Sequence, residues 1–232
     1  MKLFNKKSIE KKITITLLYY EEPEYLLLQI KTLKKYKDLF NIVIIDDGSK
    51  KFPIENYLKL IPEYFSVLKI LDDIPWNIPG ARNLSVAFCQ TKWSLQLDID
   101  HIIPEKSANK ISELELDNKR FYSFNRKFSN YTKPTAGTLL FDNKSFWKVG
   151  GYNEDFTGNY GQNDPYLKWK FFEFGIKEKI CKDIWIDDHS SLASCELSRD
   201  SANINIAKFQ DIQESKDFFP ESYLRFRWKV LR

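Results

Sequence analysis

Residues 12–46, "KITITLLYYEEPEYLLLQIKTLKKYKDLFNIVIID", decide the fold class. β-Branched residues crowd Lys12–Tyr20, which predicts a strand. Pro23 then opens a stretch whose apolar positions, Leu26, Ile30, Leu33 and Tyr36, recur at the spacing of one helical face. "FNIVIID" (40–46) is a second apolar run of strand length. The same alternation continues outward with a helix near 54–61, strand "FSVLKIL" (65–71), helix "ARNLSVAFCQ" (81–90) and strand "WSLQLD" (93–98). Alternating strands and helices predict an α/β protein with a doubly wound, mostly parallel central sheet and helices on both faces.

The second half is less regular. It reads as a helix near 105–114, strand "RFYSF" (120–124), a polar stretch through Pro134, strand "GTLLF" (137–141) and a short helix at 144–149. A helix from Asp164 to Phe174 should stop at Gly175, followed by strand "KICKDIWI" (179–186). The segment "ESYLRFRWKVLR" (221–232) mixes aromatic and basic residues. A helix packed on the domain is preferred there over a membrane-surface or partner patch.

Composition narrows the function classes. The 232 residues are 43% apolar and 16% aromatic, with only eight glycines and nine prolines, so disordered and fibrous classes are excluded. The formal charge of +4 comes from interspersed lysines and acids, with no basic run suited to nucleic acid. Cys89, Cys181 and Cys195 are odd in number and show no CxxC spacing, which argues against a disulfide framework and for a reducing compartment. The first residues, "MKLFNKKSIEKK", lack the apolar core of a signal peptide, and no apolar window approaches the roughly 18 residues of a membrane span. The expectation is a cytoplasmic protein that, where it meets a membrane, docks at the inner face.

In open parallel sheets ligands bind beyond the carboxyl ends of the strands. Those ends carry Tyr19-Tyr20-Glu21-Glu22, Asp46-Asp47-Gly48-Ser49 and Asp98-Ile99-Asp100-His101, and the third strand leads to Trp76, so acids and aromatics are expected at one edge. "DDGS" alone reads as an ordinary turn. "LDIDH" says more, because two acids at spacing two on extended backbone project to one side, as a hard divalent cation requires. A solvated sheet edge is the alternative.

Tyr19, "IIDDGS", "GARN", "LDID" and "GGYNEDF", in that order, resemble the nucleotide-sugar glycosyltransferases of the GT-A fold, particularly the family 2 type. The later stretch is similar to the carboxyl-terminal part of the β-1,4-galactosyltransferases, and the likeness runs from Thr14 to His189. It implies one GT-A-like domain over 1–232, with a nucleotide-sugar half at about 12–100, an acceptor and catalytic half at about 101–190 and an extension at 191–232. It also implies a UDP-sugar donor, a glycan or lipid-linked acceptor, inversion at the transferred carbon, and Mn2+ or Mg2+.

The resemblance assigns residues as well. Tyr19 would stack on the donor base and Asp47 would bind the uracil edge. Arg82, with Gly80 before a helix start, would orient Asp47 or meet the diphosphate. Asp98 would face the ribose and a metal-bound water, while Asp100 and His189 would bind the metal. His101 would stand beside that metal or be a plain loop histidine.

The acceptor segment is "GNYGQNDPYL" (158–167). The resembling enzymes carry a glycine followed by an acid pair that holds the general base, whereas this chain reads Gly161-Gln162-Asn163-Asp164. Amides take no proton in that role, so Tyr160, Gln162 and Asn163 are expected to bind acceptor, and Asp164 is the candidate base. Alternatives stay open. Asp187 or Asp188 could serve, or Asp164 could be the first-turn acid of a helix, with Pro165 suited to its opening. The whole protein could then be a silent UDP-sugar or carbohydrate-binding module. A nucleotidyltransferase is disfavoured because "LLYYEEPEY" (17–25) has no glycine-rich loop.

Overall fold

β1 (Ile13–Tyr19) is followed by helix α1 (Pro23–Leu33), β2 (Asn41–Asp46) and β3 (Phe65–Ile70). Helix α2 (Ile78–Ala87) then leads into β4 (Trp93–Leu97). This computed structural model describes residues 11–128, 131–190, 199–220 and 222–232. β1 pairs in parallel with both β2 and β4, and β2 pairs in parallel with β3. The resulting order β3-β2-β1-β4 reverses direction of winding at β1, which places the switch point between β1 and β4.

Both faces of this parallel unit are buried: β2 is apolar along Ile42–Ile45, while β1 and β4 also bury the polar side chains of Thr14, Thr16, Ser94 and Gln96. Ile42 and Ile44 of β2 face α1 and its Leu26, Ile30 and Leu33, while Val43 and Ile45 face Ala81 and Leu84 of α2. Truncating Ile44, which is fully buried, to Ala would cost about 2–5 kcal/mol.

The rest of the sheet is mixed. β5 (His101–Ile102), α3 (Glu105–Ser112), β6 (Arg120–Phe128), β7 (Tyr131–Asp142), α4 (Asn143–Lys148), α5 (Asn163–Glu173) and β8 (Lys177–Asp188) complete the second half. The nine-stranded order, including the terminal strand described below, is β5-β8-β6-β7-β4-β1-β2-β3-β9, and β7 runs antiparallel to β4. A third apolar cluster, with Phe121, Phe141, Phe146, Leu167 and Phe171, fixes α4 and α5 over this part.

Several local expectations change. The helix near 54–61 is a single 3-10 turn at Ile54–Tyr57, because the Asp46 carboxylate takes the Ile54 N–H at 3.0 Å and sets the chain direction there. The helix expected at 81–90 begins at Ile78, with Pro79 in its first turn, so Gly80 lies inside it. The polar stretch through Pro134 is not a loop over its described residues: 125–128 extend β6, and 131–134 open β7, where Pro134 stands opposite Asn125. Helix α6 (Ala202–Ser215) was not foreseen.

The segment 221–232 is not the expected helix. Its Trp228–Val230 forms strand β9, antiparallel to β3, and covers edge hydrogen-bonding groups that a helix could not satisfy. Arg227 anchors the entry to this strand through Asp72, by backbone at 2.7 Å and guanidinium at 2.6 Å. Cys89 and Cys181 are free thiols, and Cys195 lies outside the described residues. Among the described residues no helix is long and apolar enough to cross a membrane.

Candidate active site

A cavity of about 640 Å³ opens at the carboxyl ends of β1 and β4. Tyr20, Asp47, Arg82, Asp98, Asp100, His101, Trp76, Tyr160 and Asp164 are among its lining residues. The switch point thus collects most of the chemistry-bearing residues read from the sequence.

The two acids of "DDGS" divide the work. Asp46 is fully buried and accepts the N–H groups of Ser49 at 2.8 Å and Ile54 at 3.0 Å, so it builds the turn. Asp47 faces the cavity and accepts Asn77 Nδ2 at 2.9 Å. Burial pushes its carboxyl up to about 7 against the help of Asn77. Gly48 sits at φ +84°, and a β carbon there would lie 2.8 Å from the Asp72 carbonyl, so this approach admits only glycine.

Tyr19 borders the cavity, yet its side chain is fully buried. Strand alternation places it on the α1 face with Ile13, Ile15 and Leu17, and its hydroxyl donates to the Phe52 carbonyl. Tyr20, on the opposite side, is partly exposed at the cavity and donates to Asp73 at 3.1 Å.

The "LDIDH" turn is held from below. Gln29 of α1, fully buried, donates through Nε2 to the carbonyls of Ile99 at 3.0 Å and His101 at 2.8 Å. Asp98, Asp100 and His101 then offer ligand atoms within 4.8 Å of one another. His101 Nδ1 bonds Thr138 Oγ1 at 2.8 Å, and its Nε2 stands 4.0 Å from Asp100 and 3.8 Å from Asp188. Two carboxylates and an imidazole suit Mn2+, and these residues could hold it.

His189 is outside that cluster. β5 pairs His101 with Asp188, so Asp188 approaches His101, while His189, one residue on, donates its N–H to the Asp100 carbonyl at 2.9 Å and accepts the Tyr25 hydroxyl through its own carbonyl at 2.6 Å. Asp188 is itself committed to Arg126, at 3.0 Å. Burial works against its charge, but bonds from Ser190 and the nearby His101 and Arg126 hold its carboxyl below the usual range. Asp187 does not line the cavity.

Arg82 lines the cavity, but the acids it bonds are Asp98 and Asp164 rather than Asp47. It is 3% exposed, and its guanidinium spans two carboxylates: NH2 donates to Asp98 Oδ1, and NH1 to Asp164 Oδ1 at 3.1 Å. NH1 also reaches the Tyr152 hydroxyl at 3.1 Å. Desolvation and the neighbouring acids push the Asp98 carboxyl up to about 6, against the pull of Arg82 and His101. Burial opposes the charge on Arg82, yet Asp164, Tyr152 and Asp98 together raise its pKa.

Asp164 is the second residue of α5 and so does occupy a helix start, but its side chain turns inward. Its Oδ1 accepts from Arg82, from the Tyr152 hydroxyl at 2.9 Å and from Gln96 Nε2 at 3.4 Å. Pro165 is third in the helix rather than first. Gln162 enters it at φ +64°, which costs a non-glycine residue roughly 1–2 kcal/mol. Gln162, Asn163 and Tyr160 line the cavity beside Trp76, whose ring meets Tyr160 edge-on at 4.8 Å. Asn205 of α6, fully buried, ties down this loop by donating to the carbonyls of Phe156, Asn159 and Gly161 at 3.1, 2.9 and 3.0 Å.

Sequence reasoning missed Tyr152, Gln96 and Asn205, whereas Trp76, the aromatic beyond the third strand, does line the cavity. Gln96 left a trace, as a polar residue inside the apolar strand "WSLQLD" and on the same side as Asp98.

The model of the family described as glycosyl transferase family 2 matches residues 14–176. The chain belongs to glycosyl transferase family 2. No curated protein matches it. Among solved structures, the mannosyltransferase PcManGT from Pyrobaculum calidifontis, in complex with GDP-Man and Mn2+, is similar at a TM-score of 0.62 and 13% identity, over 87% of this chain and 61% of that one. GalNAc-T7 with UDP, GalNAc and Mn2+ is similar at 0.62 and 14% identity, over 77% and 44%. The catalytic domain of Drosophila beta1,4galactosyltransferase 7, complexed with xylobiose, gives 0.60 at 11% identity, over 96% and 87%. This family 2 chain therefore spans less than two thirds of the first and less than half of the second, and what it shares with all three is the GT-A fold.

Proposed function

We propose that this family 2 glycosyltransferase moves a sugar from a UDP-linked donor to a hydroxyl of a glycan or lipid-linked acceptor, with inversion. The observation that carries the reading is the Arg82 bridge, which sets the Asp98 carboxylate and the Asp164 carboxylate on opposite sides of one guanidinium, facing one cavity. One acid belongs to the strand end where the donor would sit and the other to the acceptor loop. That is the arrangement a direct displacement needs.

Asp47 would accept the imide N–H of the base, with Tyr20 rather than Tyr19 as the aromatic neighbour. Asp100, with Asp98 and His101, would hold the divalent cation. When bound, such a cation neutralises charge developing on the departing nucleoside diphosphate. Tyr160, Gln162 and Asn163 would orient the acceptor, and Asp164 would take its proton. The acceptor oxygen then bonds to the anomeric carbon as the bond from that carbon to phosphate oxygen breaks, the electron pair leaving with UDP.

The test is metal-dependent release of nucleoside diphosphate from a panel of UDP-sugars with GDP-mannose as comparator. Release should require Mn2+ and Asp100 and should fall by orders of magnitude in Asp164→Asn. Tight UDP binding without turnover on any donor or acceptor would favour the silent binding module. Turnover that survives Asp164→Asn would move the base elsewhere.

A further inference from the structure

Three donors converge on one oxygen of Asp164, and two of them have no part in the functional reading so far. Tyr152 is fully buried, and its main chain is fixed at both ends of one amide: Asn83 Oδ1 accepts the Tyr152 N–H at 2.9 Å, and Asn83 Nδ2 donates to its carbonyl at 3.0 Å. The ring therefore stands on α2, one residue from Arg82. Its hydroxyl receives Arg82 NH1 at 3.1 Å and lies 2.9 Å from Asp164 Oδ1 and 2.7 Å from Gln96 Oε1. Gln96, 2% exposed on β4, directs its Nε2 to the same Asp164 oxygen.

We propose that Tyr152 and Gln96 are positioning residues of the transfer step, holding Asp164 Oδ1 in a buried hydrogen-bond cage so that its other oxygen is the one offered to the acceptor hydroxyl. This rests on Asp164 being the base. The physical need is plain: a carboxylate on the first turn of a helix can rotate about two bonds, and a base that wanders by about 1 Å can lose roughly 100-fold in rate. Arg82 alone does not fix that rotation, because its guanidinium is shared with Asp98. A phenol rooted by Asn83 and an amide rooted in a sheet strand supply the missing constraints. Neither lines the cavity, so their effect should appear in turnover and not in substrate binding.

The experiment compares Tyr152→Phe, Gln96→Leu and Asp164→Asn, singly and in pairs, in steady-state transfer with the full chain. Tyr152→Phe should lower kcat about 10- to 100-fold, and Gln96→Leu less, with donor KM and the Mn2+-dependent affinity for UDP within about twofold of the parent. On the Asp164→Asn background, Tyr152→Phe should change the residual rate less than about twofold, since a cage around an absent base has nothing to orient. The inference is overturned if Tyr152→Phe leaves kcat intact, or if its loss is additive with that of Asp164→Asn. Should Tyr152→Phe not fold, Gln96→Leu carries the same two criteria. A fully active Asp164→Asn would instead remove the base assignment itself, so the two failures are distinguishable.

Discussion

Gly137 of β7 lies so close to Asp98 that a β carbon built on it would stand 1.6 Å from Asp98 Oδ2. No side-chain rotation of Gly137 is involved; the backbone of one strand forms the wall against which the carboxylate rests. Gly137→Ala should therefore displace Asp98 from both Arg82 and the Asp100–His101 cluster. We expect metal-dependent turnover to drop at least about 10-fold. Calorimetric titration with Mn2+ would check the cause, with weakened binding expected, and unchanged affinity would place the damage elsewhere.

Arg82 offsets two acids at once, and its removal should be felt in folding as well as in activity. Arg82→Met leaves Asp98 and Asp164 facing each other without a cation, a change worth about 3–5 kcal/mol for a buried pair. Denaturant unfolding at neutral pH would measure it. Arg82→Lys should recover only part, because an ammonium lacks the planar fork that spans both carboxylates.

Asp47 makes stability depend on pH with a defined sign. Its folded pKa of about 7 lies above the value near 4 expected of an unfolded aspartate, so the folded state holds a proton that the unfolded chain has released. That contribution is complete below about pH 4 and is lost as pH rises through 7. Asp47→Asn keeps an acceptor for Asn77 and removes the buried charge. It should raise nucleotide-free stability by on the order of 1–3 kcal/mol at pH 8 and hardly at all at pH 4. Thermal melts across that range would show it, and an equal gain at every pH would contradict the assignment.

Asn205→Ala should loosen the loop that carries Tyr160 and Gln162 without touching the donor side. It leaves the buried carbonyls of Phe156, Asn159 and Gly161 without their shared donor, at a cost of about 1–3 kcal/mol. The expected kinetic signature is a raised KM for acceptor with an unaltered KM for donor. An equal rise in both would mean that the loop also shapes the donor side.

The order of strands in the amino-terminal half was legible because each is a short, largely buried run, and α1 because it buries one face; α2 is buried all round from Pro79 to Val86 and was placed three residues late. "IIDDGS" and "LDIDH" were legible as strand exits for the same reason. The face taken by Tyr19, which borders the cavity with its side chain buried, becomes legible only once the register of β1 against β2 and β4 is known. The grouping of His101, rather than His189, with Asp98 and Asp100 was not legible because the β5–β8 pairing joins residues far apart in the chain. Trp228–Val230 read as helix because its aromatic and basic mixture suits either state, and the unpaired edge of β3 settles the choice. Tyr152 was quoted within "GGYNEDF", but its hydroxyl acquires a role only when α2, β4 and α5 are assembled around it.

Gln96 and Asp98 project to the same side of one strand, the first toward the base and the second toward the donor. The two halves of the chemistry thus share a single ruler: any shift or twist of β4 that improves one distance alters the other. Divergence toward new sugars has little freedom there and has to proceed through the irregular segments around Trp76 and 156–162, whose changes leave the ruler unmoved. An engineer seeking altered donor or acceptor choice should begin with those segments and leave the strand alone.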